Sequence, residues 1–316
     1  MRFTAVNTSE LDLTGRTAMI TGANSGIGLA TAKLLARQGA TVILACRDPH
    51  AMRDAADQVM VAAGDASRVD QVVLDLAELS SVDATAATIG GRYPRLDILV
   101  NNAGVMAPKR QRLTRDGFEE QMGVNHLGHF ALTGRLLPLL VAGEGARIVT
   151  LSSKTHAAVM DVEADIPVPR RYRPWAAYGA SKLANLLFAF ELHRRLVAAG
   201  HAAVSVACHP GFTSTRLTRE MASSRVGVAL LALVQRLLTQ PAADGALPAV
   251  CAAAHPAITG GEYLGPVRLA HTRGPAGLDR PRQVAADREL AARLWERSEA
   301  LTGVVYRFVQ RLQPSD

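Results

Sequence analysis

Short apolar runs rich in β-branched residues alternate along the chain with segments in which apolar residues recur at helical spacing. The runs predict six strands, at residues 17–21, 41–46, 69–74, 97–101, 146–151 and 203–208. Within residues 27–35 the apolar positions follow a helical period, and this helix is expected to end at Gly39, which tolerates a left-handed cap. Strands such as 42–44 (VIL) are nearly all apolar, which fits burial on both faces. The pattern therefore predicts a doubly wound parallel α/β sheet.

No boundary along the chain divides it into two domains. At 316 residues, a prior of roughly 150 residues per domain suggests two units, but α/β folds often exceed that length as one. The alternating pattern contains no internal repeat and no low-complexity tract. We therefore expect a single domain over residues 1–316, a Rossmann-type sheet with its core at about residues 14–303.

The charge and the cysteines narrow the classes of function. The formal net charge is +7, but Lys and Arg are dispersed and form no basic face with interleaved aromatic residues, so nucleic acid is not expected as a partner. Cys46, Cys208 and Cys251 contain no CxxC pair, and three thiols cannot all pair within one chain. This cysteine usage favours a reducing, cytoplasmic setting.

Neither a signal peptide nor a membrane span is expected. Polar and acidic residues interrupt residues 1–13, where a signal peptide needs an uninterrupted apolar stretch. The longest apolar run, residues 226–234, is far shorter than the roughly 20 residues that cross a bilayer. No transmembrane segment is therefore predicted.

A glycine-rich segment lies between the first predicted strand and the first predicted helix. Residues 21–28 read TGANSGIG, and the missing side chains let backbone amides and the positive helix end face a pyrophosphate. Glycines also occur in any tight turn, so the position between strand and helix is what favours a dinucleotide site. The predicted contacts are Gly22, Asn24, Ser25, Gly26, Ile27 and Gly28.

The end of the second predicted strand indicates which dinucleotide is bound. An acidic residue there would bind the ribose hydroxyls of NAD, whereas this chain has Arg47, 19 residues beyond Gly28. A guanidinium clamps a 2′-phosphate, so the sequence predicts NADP(H). The alternative is a surface arginine paired with the neighbouring Asp48.

Two further strand ends carry candidate cofactor contacts. Asp75 and Leu76 follow the third predicted strand, where they would lie beside the adenine, although Asp75 is equally well explained as a helix cap. Residues 101–104 (NNAG) close the fourth strand with small residues. The predicted contacts there are Asn101, Ala103 and Gly104.

Tyr178 and Lys182 stand four residues apart on a predicted helix, so their side chains project from the same face. Moving a tyrosine pKa from near 10 about 3 units toward neutrality requires roughly 4 kcal/mol of preferential stabilisation of the phenolate. The Lys182 ammonium and an oxidised nicotinamide ring are two positive charges that supply it. The pair is therefore a candidate for acid/base chemistry.

Together, TGANSGIG, NNAG and residues 178–182 (YGASK) resemble the short-chain dehydrogenase/reductase family over about residues 14–303. The phrases at residues 45–48 (ACRD), 123–130 (GVNHLGHF) and 294–296 (LWE) resemble its retinol-dehydrogenase-like branch, whose members typically prefer NADP(H). The resemblance implies hydride transfer between a nicotinamide and an alcohol or carbonyl.

By that resemblance, Tyr178 is the general acid/base and also a cofactor contact, and Lys182 binds the nicotinamide ribose and tunes Tyr178. Ser153 hydrogen-bonds the substrate oxygen, and Asn125 completes a water-linked proton relay. Ser152 competes with Ser153, which is preferred because the family motif places its reactive serine second in such a pair. Taken singly, these residues also fit a packed aromatic, a solvated amine, a strand-end cap and a helix-bending polar group.

The loop after the sixth predicted strand, residues 209–215, matches a family loop that meets the nicotinamide and pyrophosphate. The contacts expected from it are Pro210, Gly211, Thr213 and Thr215. His209 is interpreted as a loop histidine rather than an acid/base. No metal site is predicted, because the nine histidines show no His-x-x-x-His pair with carboxylate support.

Two segments are expected to shape the substrate side. Residues 154–177, a longer interval than compact family members have, contain prolines and basic residues and predict a surface excursion beside the active site. Residues 221–240 are strongly apolar, and we hypothesise that they line a pocket for a hydrophobic alcohol or ketone. The rival interpretations are a contact in a homo-oligomer and peripheral adhesion to a membrane.

The sequence thus predicts an NADP(H)-dependent oxidoreductase that acts on a small hydrophobic alcohol or carbonyl substrate. The alternative from a different class is a non-catalytic NADP(H)-binding scaffold or redox sensor with the same fold. The intact set of Ser153, Tyr178 and Lys182 argues against the alternative, because a scaffold has no chemical need for all three.

Overall fold

The described part of the chain is built around one sheet of eight strands. The computed structural model describes residues 11–162, 166–212 and 240–308. The strands are β1 (Thr17–Thr21), β2 (Thr41–Cys46), β3 (Val69–Val73), β4 (Ile98–Asn101), β5 (Arg147–Leu151), β6 (Val204–Cys208), β7 (Tyr263–Arg268) and β8 (Arg273–Leu278). They lie in the order β3-β2-β1-β4-β5-β6-β7-β8. Neighbours from β3 to β7 are parallel, and β8 is antiparallel to β7.

The predicted fold class is confirmed, since β1 to β6 begin and end within one residue of the predicted strands. The strands β7 and β8 are not among the predicted ones. Gly265 and Pro266 lie within β7, and Gly274 and Pro275 lie within β8. Glycine weakens a strand and proline cannot donate to the ladder, so neither segment shows the apolar, β-branched pattern of the first six.

Helices cover both faces of the sheet, as burial of the apolar strands requires. They are α1 (Gly26–Arg37), α2 (Pro49–Ala63), α3 (Leu79–Arg92), α4 (Gly128–Ala142), α5 (Pro174–Ala198), α6 (Ala242–Ala254) and α7 (Arg288–Thr302). Side chains of α1, α2 and α6 share one core with Ile20 and Leu44. Those of α3, α4 and α5 share another with Met19 and Ile43. Successive strand residues therefore enter opposite layers, which is the doubly wound arrangement.

The β7–β8 hairpin projects beyond the carboxyl edge of the parallel strands. Only the first two residues of β7, Tyr263 and Leu264, pair with β6, and their partners are the last two residues of that strand. The rest of β7 therefore extends past the end of β6, and β8 returns until Leu278 lies opposite Leu264. The hairpin stands beside the edge at which ligands bind in such sheets.

No helix within residues 11–162, 166–212 and 240–308 is both long and apolar enough to cross a membrane. Cys46, Cys208 and Cys251 are free thiols, and all three are buried. Burial raises the pKa of Cys46 to about 11 and that of Cys251 to about 12. The thiols are therefore protonated near neutral pH.

Candidate active site

A cleft of about 680 Å³ opens at the carboxyl ends of the parallel strands. Most of the predicted site residues line it. These are Gly22, Asn24, Ser25, Gly26, Ile27, Gly28, Arg47, Asp75, Leu76, Ala103, Gly104, Tyr178, Lys182 and Pro210. Motifs spread over nearly 190 positions of the chain thus meet in one cleft, as expected for a doubly wound sheet.

The glycine-rich turn leaves no room for side chains where backbone must approach backbone. Gly22 has φ +65°, and a Cβ on it would lie 3.0 Å from the Cβ of Ala103. A Cβ on Gly28 would overlap the amide of Asn102 and the carbonyl oxygen of Gly22. Asn102 Nδ2 donates to the Thr21 carbonyl at 2.7 Å and fixes the turn from the side. The resulting concave backbone at the start of α1 fits a pyrophosphate.

We expect Gly28→Ala to damage this cradle. The added methyl group has no free volume, so the free energy of unfolding should fall by about 1–3 kcal/mol, and the Kd for a dinucleotide should rise. Gly90→Ala is the matched control, because it adds the same atom to a helical glycine of α3 with nothing within 4 Å. Thermal unfolding and cofactor titration of both variants test this. Equal behaviour of the two would contradict the packing argument.

Arg47 lies exposed at the end of β2 and lines the cleft. Asp48, its proposed alternative partner, caps α2 instead, because its carboxylate accepts from the backbone amides of His50 at 2.9 Å and Ala51 at 3.2 Å. The Arg47 guanidinium makes no ion pair or hydrogen bond with another described residue. It is therefore available to an anionic group in the cleft.

The Asp75 carboxylate is occupied locally. It accepts from the amide of Ala77 at 2.9 Å, while the Asp75 amide donates to Ser81 Oγ at 2.9 Å. Asp75 thus shapes the turn before α3, whose N-cap is Glu78. Both Asp75 and Leu76 line the cleft, where their predicted contact with the adenine stays a prediction.

Within the NNAG segment, the two asparagines face opposite directions. Asn101 is buried and donates to Thr133 Oγ1 at 3.0 Å, so its side chain belongs to the core between β4 and α4 and does not line the cleft. Asn102 lines the cleft, and the sequence analysis did not select it. The alternation of side chains along a strand was the available signal, since an inward Asn101 places Asn102 on the other side.

Tyr178 and Lys182 lie on α5 and both line the cleft, with Lys182 Nζ 5.8 Å from the centre of the Tyr178 ring. Lys182 is buried, and its ammonium donates to the Leu151 carbonyl at 3.1 Å. Burial raises the pKa of Tyr178 to about 12, and hydrogen bonding to Ser153 acts in the opposite direction. Burial lowers the pKa of Lys182 to about 8. At neutral pH the phenol therefore holds its proton, and the amine is mostly charged.

The two adjacent serines have different partners. Ser152 Oγ donates to the Lys182 carbonyl at 2.7 Å and is thereby committed to the backbone of α5. Ser153 Oγ accepts from the Thr155 amide at 3.3 Å, which caps the short helical turn Lys154–Ala158. Ser153 is also the serine whose hydroxyl opposes the rise in the pKa of Tyr178. Ser153 is therefore a cap, and its catalytic role stays a prediction, because Ser152 rather than Ser153 lines the cleft.

Asn125 lies in a π-helical stretch, Gly123–Leu127, that leads into α4. Such stretches often occur at functional sites. Its Nδ2 donates to the Val105 carbonyl at 3.0 Å and to Ser181 Oγ at 2.9 Å, and its Oδ1 accepts from the Val105 amide at 2.8 Å. The side chain thus fixes the loop after β4 to α5. Its part in a proton relay stays a prediction.

A buried histidine that the sequence analysis left without a role joins these elements. Burial lowers the pKa of His129 to about 4, so its ring is neutral at neutral pH. Its Nδ1 lies 3.0 Å from the Asn125 carbonyl oxygen, which can only accept, so Nδ1 carries the proton. Its Nε2 then accepts from the Thr21 hydroxyl at 2.8 Å. His129 thereby connects the end of β1 to the π-helical stretch.

The remaining expectations fall at the margins of the described chain. Gly211 adjoins Pro210 but does not line the cleft, while Thr213, Thr215 and the segment 221–240 except Gln240 lie outside the described residues. In the segment 154–177, Tyr172 donates to the Pro108 carbonyl at 2.8 Å, and the half-exposed Trp175 packs edge-on to Tyr178. Within the described ranges, no group of His, Cys, Asp and Glu is arranged to hold a metal.

A nucleotide cradle, an arginine at the second strand and a Tyr-Lys-Ser group define the class of protein. The family model described as short chain dehydrogenase matches residues 16–225, and the chain belongs to this family. The family uses a nicotinamide cofactor, and the chain is accordingly an alcohol–carbonyl oxidoreductase.

Similar curated proteins support the retinol-dehydrogenase-like resemblance. A polyprenol dehydrogenase of Mus musculus is 40% identical over 295 residues, which covers 92% of this chain and 84% of the relative. Retinol dehydrogenase 13 of Homo sapiens is 40% identical over 309 residues, covering 94% of this chain and 87% of the relative.

Solved structures share the fold. An uncharacterized protein from Mycobacterium paratuberculosis matches with a TM-score of 0.78 at 40% identity, covering 96% of this chain and 100% of that chain. RhlG of Pseudomonas aeruginosa, solved as an active-site complex with NADP, matches with a TM-score of 0.63 at 27% identity, covering 80% and 94%.

Proposed function

We propose that the chain is an NADP(H)-dependent oxidoreductase that interconverts an alcohol and a carbonyl of a hydrophobic substrate, with Tyr178 as the general acid/base. The observation that carries this proposal is the meeting of three features in one cleft. These features are the glycine cradle, the Arg47 guanidinium, which pairs with no other described residue, and Tyr178 with Lys182 beside it.

The case for NADP(H) rests on charge. The Arg47 guanidinium is planar and presents several N–H donors side by side. Such a group binds a phosphate through two parallel hydrogen bonds, and the 2′-phosphate is the group that distinguishes NADP(H) from NAD(H). Asp48, the residue that would otherwise neutralise Arg47, is committed to the first turn of α2. The similarity to a structure with bound NADP agrees with this preference.

The case for acid/base chemistry rests on the protonation states of the free site. A phenol with a pKa of about 12 holds its proton, so in the reducing direction it passes that proton to the substrate oxygen. The Ser153 hydroxyl stabilises the charge that develops on the same oxygen. The Lys182 ammonium has three N–H donors, and one of them donates to the Leu151 carbonyl. The other two are left for ribose hydroxyls. A bound nicotinamide supplies or accepts the hydride at the substrate carbon.

The case for a hydrophobic substrate rests on the cleft wall and on the relatives. Val105, Met106 and Pro108 line the cleft on the side of the loop after β4. Outside the residues that line the cleft, the segment 154–177 exposes three large apolar side chains, Met160, Val168 and Trp175. The curated relatives are named for polyprenol and retinol, two alcohols with long apolar chains. We propose an apolar alcohol or its carbonyl as substrate on these grounds.

A cofactor-binding and turnover experiment tests the proposal. We expect NADPH to bind at least about tenfold more tightly than NADH, because a charge-assisted contact is worth roughly 1.5–3 kcal/mol. NADPH oxidation should then be screened against aliphatic, aromatic, steroid, retinoid and polyprenyl carbonyls. Turnover should favour the apolar carbonyls over short polar ones of the same class. Absence of binding for both cofactors, or binding without any turnover, would contradict the proposal.

A further inference from the structure

A buried carboxylate lies between two loops of the candidate active site. Asp279 follows β8, and its side chain is 4% exposed. Its Oδ2 accepts from His209 Nε2 at 2.8 Å and from Lys154 Nζ at 3.2 Å, while His271 Nδ1 lies 3.2 Å from Oδ1. One carboxylate therefore contacts the loop that carries Ser153, the loop that carries Pro210 and the turn between β7 and β8.

The tautomer of His209 is set by its two partners. Its Nδ1 accepts from the Gly211 amide at 3.2 Å, so Nε2 carries the proton that is donated to Asp279. Burial lowers the pKa of His209; Asp279 opposes this shift, and Lys154 and His271 add to it. The ring is therefore neutral at neutral pH, and Asp279 fixes the Gly211 amide through it.

The serine loop is held from the same short segment. Lys154 directly follows Ser153 and forms the ion pair with Asp279. His156 Nδ1 donates to the Ser153 carbonyl at 2.6 Å, and its Nε2 accepts from the Arg282 amide at 3.3 Å. The Arg282 guanidinium also donates to the Ala157 carbonyl. Residues 279–282 thus contact this loop at three places, through the side chains of Lys154 and His156 and through the Ala157 carbonyl.

The β7–β8 hairpin packs closely against the Pro210–Gly211 loop. A Cβ on Gly265 would overlap the His209 ring, and a Cβ on Gly211 would overlap the Thr272 carbonyl oxygen. The Phe212 amide donates to that oxygen at 3.0 Å, and Gln240 Nε2 donates to the Pro210 carbonyl at 2.9 Å. The Pro210–Gly211 loop therefore packs against the hairpin in one position. Asp279 lies at the end of the hairpin, directly after β8.

We infer that Asp279 is a positioning residue, which fixes the Ser153 hydroxyl relative to the Pro210–Gly211 loop. The inference rests on the proposed function, because these two loops are the expected contacts of the substrate oxygen and of the nicotinamide. A single buried carboxylate suits this task, since it is satisfied only while both the imidazole and the ammonium stay in place. Displacing either loop removes one partner from this buried charge, and the Arg280 amide, which donates to Oδ1 at 2.7 Å, does not replace it.

Hydrogen exchange of the cofactor-free protein tests the inference without any turnover. In Asp279→Ala, amide exchange should accelerate about tenfold in peptides covering 152–160 and 206–212, and stay unchanged in β1 and β2. Asp279→Asn keeps an acceptor for His209 but removes the charge that Lys154 pairs with, so only peptide 152–160 should exchange faster. The control is Asp83→Ala, which removes a surface ion pair with Arg135. Unchanged exchange in both peptides, or uniform acceleration throughout the chain, would overturn the inference.

Steady-state kinetics separate positioning from a merely structural role. In Asp279→Ala, kcat per folded molecule should fall about tenfold and KM for NADPH should rise, whereas a structural role lowers only the folded fraction. If Asp279→Ala does not fold, Lys154→Met and His209→Gln each remove one of the two contacts with Asp279. Each variant should then accelerate amide exchange only in the loop that carries the substitution. Wild-type protein without NADPH turnover would refute the proposed function, and the exchange experiment would still decide the role of Asp279.

Discussion

Replacing Tyr178 with phenylalanine is expected to lower kcat about 10²- to 10⁴-fold, the range that a positioned acid/base contributes. The change removes one oxygen and keeps the ring that packs edge-on against Trp175. Cofactor affinity should stay within about threefold of wild type, because the change removes one hydroxyl and keeps the other predicted nucleotide contacts. The loss corresponds to roughly 3–5 kcal/mol of transition-state stabilisation.

Rates at saturating NADPH, together with a fluorescence titration of NADPH, measure the two quantities separately. Tyr93→Phe is the control, because it removes a phenol oxygen that donates to Asp70 at 2.9 Å, away from the cleft. Undiminished turnover in Tyr178→Phe would refute the assignment of the general acid/base. A wild-type protein that binds NADPH but turns over no carbonyl would instead support the scaffold or sensor alternative.

Arg47→Asp is expected to reverse the preference between the two cofactors. Loss of a charge-assisted contact with the 2′-phosphate should raise KM for NADPH about 10- to 100-fold. The new carboxylate repels that phosphate, and it accepts from the ribose hydroxyls of NADH, so kcat/KM with NADH should rise. The prediction depends on the Arg47 guanidinium, which pairs with no other residue in the described part of the chain, since Asp48 is engaged with α2.

Arg37→Asp is the matched control for this substitution. It makes the same change in net charge, but Arg37 lies in the last turn of α1, at the helix end opposite the glycine-rich turn. The ratio of kcat/KM values for NADPH and NADH, determined for both variants, is the measurement. A ratio in Arg47→Asp equal to that of wild type would show that Arg47 does not face the phosphate.

The parts of the fold that could be predicted are those whose signal is local. The strands β1 to β6 are apolar and β-branched, and the glycine-rich turn stands between a strand and a helix. Tyr178 and Lys182 are related by helical spacing alone. Each of these features is specified by residues that are close together in the sequence. The predicted ends of β1 to β6 therefore lie within one residue of the observed ends.

The features that were missed depend on partners distant in the chain. His209 was interpreted as a loop histidine, and its actual partner, Asp279, lies 70 positions later. Asp279 follows a strand that contains Pro275, and nothing local marks it as buried. The choice of Asn101 over Asn102 failed to use the alternation of side chains at the end of β4. For His209 and Asp279, the information that the sequence lacked was the burial of polar groups against distant partners.

The late position of Asp279 in the chain has a consequence for how the protein is made. Its contacts join residues 125 and 70 positions apart, whereas the glycine-rich turn contacts residues of β4 about 80 positions away. During translation, the glycine-rich turn and its contacts after β4 are synthesised before β5, whereas residues 279–282, which hold the serine loop and the Pro210–Gly211 loop, are synthesised much later. Contacts of long sequence separation also form late because closing a long loop costs entropy. We therefore expect the glycine-rich turn to form in the nascent chain before the two loops held by Asp279 become ordered.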